Sequence, residues 1–315
     1  MVNVALLGIG NMGRNHLRIL NMLKGVNISF IFDVDEKELE KLSKQYDVSY
    51  TTEIDVAIDS ADAVLIVTPT STHYDYFNHC VGKVKYVFIE KPLAATLDQG
   101  RKIKALAEQH SMVVQCGFIE RFNPVVTELN RIMHSEDVIN ADFTRTNRLS
   151  SRINDVDVVL DLMIHDIDLA LYLNGEVKNV VAFGKKENGI IAFASALLHH
   201  KNGALSRVLA SRMTEKKIRS IQITTGESYI DCNLLRKEVI IHKQTQEHYE
   251  ENKPYVISSM EQQVQVMPQE ALLSELQAFI SVCNGENVSY PNLQAGFDSL
   301  ELSDAILSQI EKSID

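Results

Sequence analysis

Short apolar runs and amphipathic segments alternate along the first 120 residues of the chain. Each apolar run has the length of a buried strand and ends in turn residues, and the segments between them carry apolar residues at helical spacing. The predicted strands are Val2–Leu7, Ile28–Phe32, Ala63–Val67, Tyr86–Ile89 and Met112–Gly117, and the predicted helices are Asn11–Leu23, Glu36–Tyr46 and Leu97–His110. This alternation predicts a doubly wound parallel sheet with helices on both faces.

The pattern of apolar positions changes after about residue 123. One helix is predicted at Leu160–Tyr172, then short runs of β character joined by turns, and two closing helices near Glu270–Val282 and Gly296–Lys312. The predicted strands are Val177–Gly184, Ile190–Leu198, Leu205–Ser211, Ser220–Thr224, Ser228–Cys232 and Val239–His242. This succession predicts an α+β domain with a mainly antiparallel open sheet.

We therefore predict two domains, residues 1–118 and residues 119–315, and leave open whether the last helix packs back on the first domain. A chain of 315 residues is long enough for both. The polar stretch Lys243–Met267 shows little pattern. It is predicted to be a mobile loop, either over the site or at a subunit contact.

Charge and composition exclude several classes of partner. A formal net charge of −11 argues against nucleic acid or an anionic membrane as the main partner. There is no apolar run of about 18 residues that would span a bilayer, and the first residues run into a strand without a signal-peptide pattern. CxxC spacing is missing among the four cysteines, Cys80, Cys116, Cys232 and Cys283. We therefore expect no zinc site, other metal site or disulfide framework, and we predict a cytoplasmic protein with reduced thiols.

A glycine-rich segment lies between the first predicted strand and the first predicted helix, as a dinucleotide-binding turn requires. Gly8 allows the tight turn, Gly10 lets the backbone approach a pyrophosphate, and Gly13 allows close packing of helix and strand. The helix start then offers free N–H groups to phosphate oxygens. Asn11 and Met12 are therefore predicted to bind the cofactor together with the glycines.

Polar residues that follow the next strands extend this predicted site. Asp33 ends the second strand, 25 residues after the first glycine of the motif. A carboxylate there accepts hydrogen bonds from ribose hydroxyls and repels a 2′-phosphate, which favours NAD over NADP. Thr68 and Pro69 follow the third strand and are predicted to contact the nicotinamide ribose. His73 is expected either to face the cleft as a cofactor-binding residue or to cap the next helix.

The tripeptide Glu90-Lys91-Pro92 follows the fourth strand at the same edge of the predicted sheet. Oxidation of an alcohol needs a proton acceptor or a cation that stabilises an alkoxide. A partly buried lysine can do either, because burial lowers its pKa. Lys91 is therefore a candidate catalytic residue, with Glu90 beside the cofactor and expected to orient the ammonium group.

Asp161 and His165 lie four residues apart on a predicted helix and so share one face. A carboxylate one turn away orients the imidazole and raises its basicity, which suits a general base. Asp168 is expected on the same face, whereas Asp166 is expected to point into solvent. A structural pair of core residues is the alternative interpretation.

Taken together, these motifs resemble the glucose–fructose oxidoreductase, inositol dehydrogenase and MocA family. The order and spacing agree for Gly8-x-Gly10-x-x-Gly13, Glu90-Lys91-Pro92 and Asp161-x-x-x-His165, and the two-domain pattern covers essentially the whole chain. The resemblance implies a Rossmann domain that binds NAD and a catalytic group formed by Lys91, Asp161 and His165. It also implies a homodimer or homotetramer assembled through the open sheet of the second domain.

A narrower resemblance points to the branch that contains UDP-N-acetylglucosamine 3-dehydrogenases. It rests on Glu120-Arg121-Phe122-Asn123-Pro124 and on the run DVVLDLMIHDID from Asp157 to Asp168. Arg145, Arg148 and Arg152 precede the catalytic helix, where a diphosphate would pair with them or where they form a solvated basic edge. Arg121 is a further candidate substrate contact. Asn123 is expected either to bind a sugar hydroxyl or to cap the following helix.

The predicted function is therefore oxidation of a secondary hydroxyl of a sugar by NAD, at C3 of a nucleotide-linked N-acetylhexosamine. The sequence leaves open which of Lys91 and His165 is the base. Alternatives on the same scaffold are a cyclitol or free-sugar dehydrogenase and a redox-neutral glycosidase. An alternative of another class is a non-catalytic NAD-binding sensor, which has no need of Lys91, Asp161 and His165 together.

Overall fold

Six parallel strands form the first sheet of the computed structural model, which describes residues 1–133, 137–148, 156–248 and 256–314. In chain order these are β1 (Val2–Leu7), β2 (Val26–Phe32), β3 (Tyr50–Thr51), β4 (Ala63–Ile66), β5 (Tyr86–Glu90) and β6 (Val113–Gly117). Their order in the sheet is 3-2-1-4-5-6, with the reversal of winding between β1 and β4. The predicted doubly wound parallel sheet is confirmed.

Helices connect these strands as parallel pairing requires. They are α1 (Asn11–Leu20), α2 (Glu36–Tyr46), α3 (Ile54–Asp59), α4 (His73–Cys80) and α5 (Leu97–Gln109), with 3-10 turns at Thr70–Thr72 and Ile119–Phe122. Leu17 of α1 and Leu39 of α2 pack with Val4 and Leu6 of β1 in one buried cluster. Each fully buried side chain of this size contributes about 1.5–3 kcal/mol.

The second sheet has eight strands. The elements that build this part of the chain are α6 (Pro124–Met133), β7 (Val138–Thr146), a π-helix (Val159–Met163), α7 (Ile164–Asn174), β8 (Val177–Glu187), β9 (Ile190–His200), β10 (Leu205–Ser211), β11 (Ile218–Thr225), β12 (Ser228–Asn233), β13 (Glu238–His248) and β14 (Val256–Val264). The strand order is 14-13-12-11-7-10-9-8, and every neighbouring pair is antiparallel except β7 with β10. The predicted mainly antiparallel sheet is confirmed.

The two faces of this second sheet differ in character. Ala196, Val208 and Phe143 are cross-strand neighbours and are buried against the helices of the same unit. Successive side chains of a strand point to opposite faces. The next row therefore lies on the other face, where Val181 and Leu197 pair directly and are about half exposed, at 52% and 48%. This face is open to solvent.

The chain divides into two compact units. The first contains Met1–Phe122 and Glu270–Glu301, and the second contains Asn123–Gln269 and Leu302–Asp315. Helix α8 (Ala271–Cys283) thus belongs with the first sheet, and helix α9 (Leu293–Ile314) is divided between the units. The boundary predicted after residue 118 stays a prediction. Within the described ranges, no helix combines the length and the apolar character needed to cross a membrane.

The expectation of a mobile loop at residues 243–267 is wrong for the part that the structure describes. Strands β13 and β14 pair antiparallel there, from Val239 with Val264 to His248 with Val256. A strand at the edge of a sheet is held by backbone hydrogen bonds to its neighbour, so polar side chains do not prevent the strand from forming. The hydrophobic pattern therefore carried no signal, and residues 249–255 lie outside the described ranges.

The expectation that Asp166 points into solvent is also wrong. Its carboxylate accepts two hydrogen bonds of 2.8 Å from Nε and Nη2 of Arg145, and both side chains are almost fully buried. Arg145 therefore ties β7 to α7 and is not available in this structure as part of a basic edge for a diphosphate. Asp168 is buried as well, at 1% exposure.

Substitution Asp166→Ala is expected to destabilise the protein by about 3–5 kcal/mol, because it leaves a buried guanidinium without this counter-charge. Equilibrium unfolding in urea measures the loss. Glu128→Ala is the matched control, since Glu128 pairs with the largely exposed Arg131 at 3.1 Å. Equal losses of unfolding free energy in the two variants would contradict a large stabilising contribution from the buried pair.

Candidate active site

Close packing explains two of the three glycines in the turn between β1 and α1. Gly8 has a φ of +95°, and a Cβ there would lie 2.5 Å from the carbonyl oxygen of Val67. A Cβ on Gly13 would lie 2.0 Å from the carbonyl oxygen of Gly8. Neither position accepts a side chain, so the turn and helix α1 are fixed tightly against the ends of β1 and β4.

Gly10 differs from its neighbours because it faces open space. A Cβ built on it meets no heavy atom within 4 Å among the described residues, and no side chain caps the helix that begins at Asn11. The N–H groups of the first helical turn are available to an anion, and the helix dipole favours one. This cradle fits the pyrophosphate of a dinucleotide.

The carboxylate of Asp33 links the glycine-rich turn to the end of β2. Oδ2 accepts a hydrogen bond of 2.9 Å from the backbone N–H of Ile9, and Oδ1 accepts bonds from Val34 at 2.7 Å and Asp35 at 3.1 Å. A carboxylate offers about four acceptor positions, so capacity for a ribose hydroxyl remains. The negative charge at this point disfavours a 2′-phosphate.

A cleft of ≈ 520 Å³ lies along the carboxyl ends of β1, β2 and β4, within the size range of small-molecule sites. Seven residues predicted to bind the cofactor line it: Gly8, Gly10, Asn11, Met12, Asp33, Thr68 and Pro69. The sequence analysis missed five other lining residues: Phe32, Val34, Val67, Thr72 and Tyr76. The apolar members among them offer a surface for a base or ribose, and the cleft fits NAD.

Lys91 follows β5 at the same edge of the sheet, and the residue before it is held by a buried histidine. Oε1 of Glu90 lies 2.8 Å from Nε2 of His16, and Oε2 accepts a 3.2 Å bond from the backbone N–H of Lys91. Glu90 thus binds the backbone of Lys91, and its expected orientation of the ammonium group stays a prediction. The role of Glu90 beside the cofactor stays a prediction.

His73 lies at the start of α4 and is 1% exposed. Nδ1 is 2.9 Å from the carbonyl oxygen of Pro92, and Nε2 is 3.0 Å from that of Thr68. Burial lowers the pKa of His73, and the two carbonyl contacts oppose that change. A neutral ring at pH 7 donates through one nitrogen at a time. Its contact with the cofactor stays a prediction.

In the second unit, Asp161 lies in the π-helix and His165 in the α-helix that continues it. π-Turns of this kind recur at functional sites. Oδ2 of Asp161 accepts a 2.7 Å bond from Nη2 of Arg212, whose other terminal nitrogen contacts the carbonyl oxygen of Val156. Arg212 is only 9% exposed and is a functional candidate that the sequence analysis missed. No sequence motif marks Arg212, which directly follows β10, as a functional residue.

The predicted substrate contacts are distributed over both units. Arg121 lies in the 3-10 turn of the first unit. Oδ1 of Asn123 accepts a 3.1 Å bond from the backbone N–H of Val125, which is the capping arrangement that we considered. Arg148 is exposed and pairs with Glu215, and Arg152 lies outside the described residues. Their contacts with a substrate stay predictions.

In the described residues, cysteine, histidine and acidic side chains are not grouped into a metal site. Over the described parts of the chain, no group of three or more metal-ligating side chains is arranged to hold an ion. The four cysteines, all within the described residues, form no disulfide. Burial raises the pKa of Cys80 and Cys232 to about 12, so neither thiol is reactive at neutral pH.

Two family models match the chain. The model of the oxidoreductase family with an NAD-binding Rossmann fold (Gfo/Idh/MocA) matches residues 2–118, and the model of the Gfo/Idh/MocA C-terminal domain matches residues 132–228. The chain therefore belongs to the Gfo/Idh/MocA oxidoreductase family. It is an NAD-dependent oxidoreductase, in agreement with the cleft that the first unit forms.

Relatives with assigned activities resemble nearly the whole chain. UDP-N-acetylglucosamine 3-dehydrogenase of Acidithiobacillus ferrooxidans is 26% identical over 286 residues, which cover 89% of this chain and 88% of the relative. Myo-inositol 2-dehydrogenase of Thermotoga maritima is 25% identical over 305 residues, with 90% and 89% covered. Identity at this level does not separate sugar from inositol oxidation.

Solved structures show the same fold. The structure of the Acidithiobacillus ferrooxidans enzyme superimposes with a TM-score of 0.89 at 23% identity, covering 100% of this chain and 99% of that chain. A levoglucosan dehydrogenase in complex with NADH and levoglucosan gives a TM-score of 0.83 at 19% identity, covering 99% and 97%.

Substitution Gly10→Ala is expected to weaken NADH binding at least about tenfold, or about 1.4 kcal/mol, because a methyl group would occupy the open cradle. The free energy of unfolding should change by less than about 1 kcal/mol, since Gly10 has no close neighbours. Titration of NADH fluorescence and urea unfolding measure the two quantities. Gly226→Ala, also in open space, is the control. Unchanged NADH affinity in Gly10→Ala would contradict the placement of the pyrophosphate.

Proposed function

We propose that this protein oxidises the C3 hydroxyl of a nucleotide-linked N-acetylhexosamine of the UDP-N-acetylglucosamine type, with NAD as the acceptor. The observation that carries the proposal is the position of Lys91. It follows β5, the neighbour of β4, so it lies at the sheet edge where Thr68 and Pro69 line the cofactor cleft. A cation there is suited to an alcohol that reacts beside the nicotinamide.

The chain's own side chains divide the remaining chemistry. NAD held by the glycine-rich turn and Asp33 would supply the acceptor for a hydride from the carbon that bears the hydroxyl. His165 takes the hydroxyl proton, Lys91 stabilises the developing alkoxide, and Asp161 orients the imidazole. Arg212 fixes the carboxylate of Asp161 through the 2.7 Å ion pair. The step releases one proton for each substrate molecule that is oxidised.

Two observations support a nucleotide sugar as the substrate of the proposed dehydrogenase. These are the likeness to UDP-N-acetylglucosamine 3-dehydrogenase over 89% of the chain and the candidate contacts Arg121, Asn123, Arg148 and Arg152. A scyllo-inositol 2-dehydrogenase of Bacillus subtilis is 27% identical over 76% of the chain, which favours a cyclitol as the second candidate.

A substrate panel tests the proposal. The purified protein is incubated with NAD and UDP-N-acetylglucosamine, with an aminotransferase and an amino donor present to trap the ketone. We expect NADH formation by absorbance and a 3-amino sugar nucleotide by mass spectrometry. NADH formation only with inositols or free sugars would show that the proposed nucleotide-sugar substrate is wrong. Glycoside cleavage without net NADH formation would indicate a glycosidase. NADH binding without turnover would indicate a sensor.

Substitutions Lys91→Ala and His165→Ala are each expected to lower kcat at least about 100-fold, because each removes a group that acts on the reacting hydroxyl. NADH affinity should stay nearly unchanged. Steady-state kinetics and NADH fluorescence measure these effects. Lys85→Ala is the matched control, since Lys85 precedes the same strand at its opposite end. Near-normal turnover in both site variants would contradict the assignment.

We propose that the protein is a homo-oligomer that buries the open face of the second sheet. Exposed apolar side chains on that face include Val181, Phe183 and Leu197, and Phe183 is 64% exposed. Exposed apolar patches of this kind commonly mark contacts between proteins. The four scattered cysteines, which form no disulfide, agree with the proposal of a cytoplasmic protein.

Substitution Phe183→Asp is expected to shift the protein toward the monomer, because a carboxylate at the centre of the contact would lose its hydration. Light scattering coupled to size-exclusion chromatography measures the mass. Val56→Asp is the control, since Val56 is 49% exposed on a helix of the first unit. A wild-type monomer, or an unchanged oligomer in Phe183→Asp, would contradict this interface.

A further inference from the structure

Two buried histidines hold the residues on either side of Lys91. His16 lies in α1, immediately downstream of the glycine-rich turn, and its ring contacts the carboxylate of Glu90. His73 lies at the start of α4, just after the cleft residues Thr68 and Pro69, and its ring contacts the carbonyl oxygen of Pro92. Both histidines therefore come from segments that form the cofactor cleft.

The contacts of the His16 ring define its orientation and which of its nitrogens carries the proton. The ring is fully buried and meets Phe88 edge-on, with the ring centroids 5.3 Å apart. Nδ1 has no hydrogen-bond partner among the described residues. An ionised carboxylate only accepts hydrogen bonds. Nε2 of His16 therefore carries the ring proton and donates a hydrogen bond to Glu90.

Gly117 of β6 supplies the space for that carboxylate. It is the direct neighbour of Glu90 across the sheet, and a Cβ on it would lie 2.8 Å from Oε2. Among the described residues, His16 lies on Oε1 of this carboxylate and the backbone N–H of Lys91 lies on Oε2. Loss of the histidine would leave a largely buried carboxylate to find another partner, which turns it away from the Lys91 amide.

We propose that His16 and His73 are positioning residues that fix the backbone of Lys91, His16 through the side chain of Glu90 and His73 through the carbonyl oxygen of Pro92. The proposal rests on the proposed function insofar as Lys91 acts on the substrate hydroxyl. A misplacement of about 1 Å in a reacting group is enough to cost about 100-fold in rate. The arrangement ties the lysine to the same two segments that receive the cofactor.

The test combines a structural readout with kinetics on the full-length protein. In His16→Phe, hydrogen exchange at the Lys91 amide, resolved to the residue by mass spectrometry, is expected to be at least about tenfold faster. With saturating NAD, kcat should fall about 10- to 100-fold, while NADH affinity by fluorescence changes less than about threefold. His16→Gln places an amide donor near the position of Nε2 and should restore most of both losses. His73→Phe should give the same fall in kcat.

Controls separate positioning from general loss of a buried histidine. His200 is also fully buried, with its ring nitrogens 2.8 Å from the Gly175 carbonyl oxygen and the Ser206 hydroxyl. His200→Gln should change neither exchange at Lys91 nor kcat. If His16→Phe fails to fold, Glu90→Gln and Gly117→Ala perturb the same carboxylate and should give the faster exchange instead.

The outcomes for this proposal and for the proposed function are distinct. Unchanged Lys91 exchange and unchanged kcat in the His16 variants would overturn the positioning role. A fall in kcat explained entirely by lost NADH binding would overturn it as well. If the wild type oxidises no sugar, the proposed function fails, whereas the exchange measurement still decides whether His16 fixes Lys91.

Discussion

The predicted cofactor-binding residues and Lys91 lie side by side in the first unit because all strands of its sheet run in one direction. Parallel strands end at a common edge, and in the order 3-2-1-4-5-6 the strands β1, β4 and β5 are neighbours. The residues that follow them, the glycine-rich turn, Thr68 and Lys91, are neighbours for that reason. The close approach of Gly8 to Val67 then fixes the first two strand ends against each other.

Buried polar side chains hold residues at or next to the candidate reactive groups in both units. Glu90 is held by His16, Asp161 by Arg212 and Asp166 by Arg145. Such groups are costly to bury unless they are paired, so each arrangement is well defined by its partners. The reactive residues are thereby attached to rigid sheet and helix positions rather than to mobile segments, which suits a reaction that depends on the orientation of a lysine and an imidazole.

Local sequence patterns predicted the first sheet well and the second sheet less completely. Strands β1, β4 and β5 are continuous apolar runs because both of their faces are covered. Strand β7 was missed, although it is central to the second sheet, because Asn140, Asp142 and Thr144 occupy its open face. The end of β13 and the whole of β14 were missed for a related reason, since backbone pairing requires no apolar side chains.

Motif spacing predicted ten cofactor-binding residues, seven of which line the cleft, but it did not predict the partners that support the site. His16 and Glu90 are 74 residues apart, and Arg212 and Asp161 are 51 residues apart. Such pairs form only when distant strands and helices pack together. A single sequence carries no pattern that relates them. The solvent exposure expected for Asp166 failed for the same reason, because its partner Arg145 lies on a strand that was not predicted.

The most direct test of the central claim follows the hydrogen on C3 of the sugar. UDP-N-acetylglucosamine that carries deuterium at C3 is incubated with the protein, NAD and the ketone trap, and the NADH formed is analysed by mass spectrometry. We expect NADH that is heavier by one deuterium, because the proposed reaction transfers the C3 hydrogen as a hydride. NADH without the label, or no NADH in the presence of active protein, would contradict it.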